Sequence, residues 1–145
     1  MSELFSYFEG DLEIFLNYVK ALKDNHLVKI KLASASEIGG LEIDGTFNHV
    51  LDNFAVKHIT SKHSNKKEEL RGQIVIQRSD FLLIPEIITS FDSCIIQSQR
   101  TDKTTITYSK SYPIGEYIYI EEIRKGRREL AGVTLYIRKK ETHRR

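Results

Sequence analysis

The sequence predicts an α+β fold: N-terminal helices packed on a four-stranded antiparallel meander sheet. Three observations carry that expectation. Ahead of Ser93, apolar residues recur at spacings of three and four; from Ser93 onward the period changes to two. Helical patterns followed by consecutive strands give the α+β order rather than the α/β alternation. At 145 residues the chain is long enough for one core and too short for two ordinary domains. It is therefore expected to be a single domain over 1–145, with a helix, strand and loop in 1–47 and the main unit in 48–140.

From Ser2 to Asn25, the residues Leu4, Phe5, Phe8, Leu12, Phe15, Leu16, Val19 and Leu22 form one helical stripe. Gly10 is its natural interruption, with Asp11 placed to cap a second segment and Glu13 in the first turn. His26–Leu32 alternates as a half-buried strand does. Ala33–Gly45 carries Ser34, Ser36, Gly39, Gly40 and Gly45 and reads as loop or weak strand, with Leu41 and Ile43 able to pair briefly. Asp52 or Asn53 opens the next helix, which turns Leu51, Phe54, Val56 and Ile59 inward and ends at Ser64–Asn65.

Arg71–Arg78 includes the apolar run Ile74–Val75–Ile76, and Ser79 and Asp80 cap a helix carrying Phe81, Leu83, Ile84, Ile87 and Ile88. Pro85 fits only the first turn of a helix that starts near Leu83. Ile95–Gln97, Thr104–Lys110, Glu116–Ile123 and Leu130–Lys140 read as four strands. Thr101–Lys103, Pro113–Gly115 and Lys125–Arg128 are the connecting turns.

Composition excludes several classes. The chain is 40% hydrophobic and 29% charged, has no apolar run of the ~20 residues a membrane helix needs, and begins with an acidic segment unlike a signal peptide. Cys94 is the only cysteine, so no intrachain disulfide forms and a cytoplasmic setting is expected. Charge is uneven. Residues 1–56 hold four lysines against nine acids, a balance of −5, while 57–145 hold eighteen basic against eleven acidic residues, a balance of +7. A basic C-terminal two-thirds attracts polyanions, nucleic acid first among them, although charge placed for solubility gives the same count.

Val56–Gln73 concentrates His58 and His63 with five cations, Lys57, Lys62, Lys66, Lys67 and Arg71. Five residues apart, the histidines lie about 140° apart on a helix, whereas a metal pair normally uses a spacing of three or four; no metal is expected. As proton-transfer groups they need only converge on a substrate. The plainer alternative makes His58 a packed helix residue and His63 a solvated helix end. On the last strand, Thr134, Tyr136 and Arg138 share one face and Val133, Leu135 and Ile137 the other. A Thr/Tyr/Arg row beside the strand-end Lys110 can hold a phosphate and a stacked base, or be an ordinary solvent face. No glycine-rich phosphate loop, G-x-S-x-G or paired-carboxylate constellation is present, which argues against nucleotide-triphosphate, covalent-serine and glycosidase chemistry.

The order VKHITSKH, RGQIVI, SDFLLIPEII, ITYSK, YIYIEEI and VTLYIRKK resembles the phage-associated nuclease domains of the barnase–EndoU–colicin–RelE superfamily, over roughly Asn48–Lys140. The resemblance implies an α+β fold with a four-stranded antiparallel sheet and a metal-independent endoribonuclease, often a toxin. It implies His58, His63, Lys110 and Thr134 as catalytic residues, and Arg71, Gln73, Tyr136 and Arg138 as substrate contacts. Ser64 departs from the pattern, in which glycine follows the second histidine. Scission then proceeds by attack of the substrate's own 2′-hydroxyl, so no cofactor is expected. The expected partners are RNA, tRNA among the candidates, and a cognate inhibitor protein, without a membrane. Two readings compete: a non-catalytic module that binds RNA or protein through its basic sheet face, and an immunity-type protein working through the acidic residues 1–56. The first makes no demand on His58 or His63.

Overall fold

The N-terminal segment divides at Asp11. The computed structural model, which describes residues 5–9, 11–23, 26–38, 41–63, 67–98 and 103–140 (the side chains of 5–9, 36–38, 41–45 and 70 excepted), has a strand, β1 (Phe5–Glu9), ahead of helix α1 (Leu12–Ala21). The Asp11 carboxylate accepts from the Ile14 N–H at 3.0 Å, the predicted cap, and Leu12, Phe15, Leu16 and Val19 form the buried stripe. The expected helix from Ser2 is thus corrected in its first half; Leu4 and Gly10 lie outside the described residues. β1 pairs parallel with β2 (Leu27–Ile38), and α1 is the crossover between them. A five-residue segment is too short to sustain a helix, while a neighbouring strand satisfies its backbone at once.

β2 runs beyond its predicted end at Leu32, and β3 (Leu41–Asp52) returns antiparallel to it. Ala33–Gly45, expected as loop or weak strand, is therefore mostly ladder, with irregular register at Lys31/Ala33 and Ala35/Glu37. Gly39 and Gly40 lie outside the described residues. Helix α2 (Asn53–His63) opens where predicted: Asp52 accepts from the Ala55 N–H at 2.7 Å. Asn53, fully buried, accepts from the Val28 N–H at 3.0 Å and donates to the His26 carbonyl at 2.9 Å, which ties the helix start to β2. Val56 and Ile59 face inward as expected, but Phe54 is 47% exposed. At 100° per residue the buried Ala55, Val56, Ile59 and His63 define an arc, and Phe54 and His58 fall outside it. The expected stop at Ser64–Asn65 lies outside the described residues.

The short helix α3 (Lys67–Leu70) leads into β4 (Gln73–Ile74), which takes only Ile74 of the Ile74–Ile76 run into a strand. A 3-10 helix (Arg78–Leu83) follows, with the Asp80 carboxylate accepting from the Gln77 N–H at 2.7 Å. It hands over to α4 (Ile84–Thr89), whose first turn holds Pro85.

β5 (Ser93–Ser98), β6 (Thr104–Tyr112), β7 (Gly115–Arg124) and β8 (Glu129–Arg138) form the predicted antiparallel meander. The predicted architecture needs two corrections. The sheet is larger and mixed, in the order β1-β2-β3-β8-β7-β6-β5 with β4 also on β8, and the helices interleave with the first four strands instead of standing as an N-terminal block. The cause is the second edge of β8, which a four-stranded meander would leave bare. β3 pairs parallel with it over Glu129–Ala131, β4 pairs antiparallel over Ile137–Arg138, and α2 packs on β8. Between β7 and β8 a bulge sets Glu121 opposite Gly132 and Ile120 opposite Thr134, so Val133 is an extra residue outside the expected row of Leu135 and Ile137. The core lies on the face of Tyr108, Tyr117, Tyr119, Leu135 and Ile137. Among the described residues, no helix is long and apolar enough to cross a membrane.

Candidate functional site

His63 is the last residue of α2, and the chain locks it from three sides. Its Nδ1 lies 2.8 Å from Oε2 of Glu68, which α3 presents fully buried. Arg71 donates from Nη1 to the other Glu68 oxygen at 2.8 Å. The His63 backbone carbonyl accepts from the Ile76 N–H at 2.8 Å, and the His63 ring stacks on Tyr136 at 5.7 Å between centroids. A proton on Nδ1 would be donated to Glu68 and would leave Nε2 as the accepting nitrogen of the ring. His63 is only 5% exposed, so the packing around it holds the ring in one orientation. Burying the Glu68 charge is costly unless both oxygens are engaged, as they are here.

His58 is exposed on the outward side of α2. It lines an open groove with Phe54, Thr134, Thr105, Lys103, Glu122 and Arg124. A second groove shares Asp52, Phe54, Glu122 and Arg124 with the first and continues to Arg127. Glu122 lies 3.9 Å from the Lys103 ammonium and 3.6 Å from Nε of Arg124, holding two cations at the groove wall. The more apolar cleft among Leu16, Val19, Val56, Ile76 and Phe81 contains no histidine or carboxylate, so chemistry favours the β8 side.

Strand register decides which expected residues meet. Tyr136 stands opposite Ile118, which stands opposite Ser109; Thr134, two residues along, shares that outer face. α2 thus sets His58 beside Thr134 and His63 against Tyr136. Arg138 and Gln73 are cross-strand partners farther along the same face. Arg138 pairs with Glu116 at 2.8 Å, and the buried Oε1 of Gln73 has no hydrogen-bond partner. Lys110 is not brought to them. It is opposite Tyr117, which is opposite Ile137, so it points to the inner face, where Nζ donates to the Ser90 carbonyl at 2.7 Å. Arg71 reaches the site through Glu68 rather than directly.

Sequence reasoning misses Glu68, because an acidic residue in a lysine-rich turn looks like a solvated charge. It also misses a buried cluster on the inner face. Glu121 is fully buried, with Oε2 2.6 Å from His49 Nδ1 and Oε1 accepting from the Tyr108 hydroxyl at 2.8 Å. Burial pushes the Glu121 carboxyl up against the opposing pull of His49 and Tyr108. Desolvation, reinforced by Glu121, likewise raises the Tyr108 and Tyr119 phenols and the Cys94 thiol.

Residues 27–145 match the model of a family described as phage-Barnase-EndoU-ColicinE5/D-RelE like nuclease3. The match begins at the start of β2, upstream of the Asn48–Lys140 stretch that carries the sequence motifs. No curated protein and no solved structure matches the chain.

Proposed function

The chain belongs to the phage-Barnase-EndoU-ColicinE5/D-RelE like nuclease family, and on that premise we propose that it is an endoribonuclease that uses the 2′-hydroxyl of its substrate as nucleophile. The observation that carries this reading is the His63–Glu68–Arg71 relay set against Tyr136, one step along β8 from the His58–Thr134 groove.

Nε2 of His63 accepts the 2′-hydroxyl proton, the 2′-oxygen attacks the adjacent phosphorus, and His58 protonates the departing 5′-oxygen. The nucleophile is held next to its target by the substrate itself, so the protein need not generate one. Thr134 donates to a non-bridging oxygen, and Lys103 and Arg124 supply the positive potential that the dianionic transition state requires. Arg71 acts by fixing Glu68. Tyr136, Gln73 and Arg138 extend the substrate surface along β8. Lys110, on the other face, stands outside this arrangement.

Incubating total RNA with the protein in chelator should give fragments ending in 2′,3′-cyclic phosphate. His63→Ala and His58→Ala should each lower the rate roughly 10²–10⁴-fold. Fragments ending in a plain 3′-hydroxyl, or cleavage that requires a divalent ion, would refute 2′-hydroxyl attack. The burial of His63 favours one competing reading, a non-catalytic RNA-binding module in which this ring only packs. Under that reading His63→Ala lowers the melting temperature and no RNA is cut by either protein.

A further inference from the structure

Phe54 is an apolar ring left in water. Its helix buries Ala55, Val56 and Ile59, yet Phe54 is 47% exposed at the junction of the two grooves described above. Around it stand Lys103, Arg124 and Arg127, with Asp52 and Glu122 as the acidic members of the same walls. Both acids are engaged locally: Asp52 caps α2 at 2.7 Å, and Glu122 pairs with Lys103 and Arg124. Phe54 and His58 are four residues apart on one helix, so their Cβ atoms are neighbours at ~5–6 Å. An exposed aromatic flanked by cations along an open groove is the arrangement that receives unpaired bases. The ring stacks on any base, and the cations follow the backbone.

We infer that Phe54 is a base-stacking platform that selects single-stranded nucleic acid and seats the nucleotide next to the phosphodiester facing His58. A base in a duplex is already stacked on both faces and cannot lie on Phe54 without unpairing, so the platform discriminates against double helix. The inference deepens the proposed endoribonuclease reading and takes its substrate polarity from it, but the platform itself requires no cleavage.

Binding is therefore measured with 2′-O-methyl oligonucleotides, single-stranded and duplex, which lack the nucleophile and cannot be cut by 2′-hydroxyl attack. The chain has no tryptophan, so Phe54→Trp introduces a single indole at the platform. Its fluorescence should be quenched by the single strand and not by the duplex. Phe54→Ala and Phe54→Leu should each weaken single-strand binding roughly 5- to 150-fold, while Phe54→Trp retains it. Because the ring is only half covered, each variant should still fold, with Phe54→Trp and Phe54→Leu melting closer to the wild type than Phe54→Ala. Equal affinity of wild type and Phe54→Leu for the single strand, or tighter binding of the duplex, overturns the platform. Loss of binding in Phe54→Leu with no RNA cleavage by the wild type sinks the catalytic reading and leaves the platform standing. Cleavage with an unchanged KM in Phe54→Leu does the reverse.

Discussion

On the proposed reading, Glu68 decides what His63 is able to do. A histidine at a helix end is ordinarily a solvated cation favoured by the dipole, but here the ring is buried against a carboxylate that Arg71 holds from the other side. In the proposed mechanism Glu68 is a positioning residue, and its replacement by glutamine keeps the shape while removing the charge. Glu68→Gln should lower kcat by between about tenfold and 10⁴-fold, the range for partners that orient an imidazole. KM and melting temperature should stay near wild type, which a merely structural role for Glu68 would not allow. An unchanged kcat would remove the relay from the mechanism. His58 and His63 are visible in the sequence by residue type, and Thr134, Tyr136 and Arg138 by alternation. Glu68 is not visible, because nothing local distinguishes a buried acid from a solvated one. Lys110 stands apart from the other expected site residues for a related reason. Its side of the sheet is set by register against Tyr117 and Ile137, which residue type does not encode.

At the scale of elements, the bulge between β7 and β8 aims the site. Val133 is the extra residue, and past it Gly132 turns to the inner face while Thr134 turns to the outer. A Cβ on Gly132 would overlap the Tyr119 hydroxyl, with Tyr119 Cζ at 2.8 Å and Leu51 Cδ1 at 3.1 Å. Tyr119 is fully buried, so moving its ring aside disturbs the core around it. Gly132→Ala should therefore destabilise the protein by ~1–3 kcal/mol, the usual cost of overpacking a core. Urea unfolding measures it directly, and an unshifted midpoint would show that Tyr119 yields freely. The meander strands are legible in the sequence because each pairs with its neighbour in the chain, so alternation and turn residues suffice. β1 and β4 are not. β1 finds its partner across a helix, and β4 is two residues long, too short to show a period. The outward turn of Phe54 is likewise fixed only once Ala55, Val56 and Ile59 have docked.

For the molecule as a whole, stability carries the mark of a charge placed inside the core. Glu121 sits on the inner face, bonded to His49 and Tyr108. Its burial favours the neutral acid, so the folded-state value lies above the ordinary 4.5. Folding then takes up a proton at pH values between the unfolded and folded values. The contribution of this group to stability is full below about 4.5 and is lost as pH rises through the raised value. The hydrogen bonds to His49 and Tyr108 limit the loss by favouring the carboxylate. Glu121→Gln keeps an acceptor for Tyr108 and offers His49 Nδ1 a donor, yet it cannot ionise. In the wild type the melting temperature should decline with pH above 4.5 by an amount that the variant does not share. The two curves should converge at acid pH and separate toward neutrality, with the variant the more stable there. Calorimetric scans of both proteins from acid to neutral pH read this out. Parallel curves would mean that His49 and Tyr108 offset the cost of burial completely, leaving Glu121 an ordinary carboxylate in an unusual place.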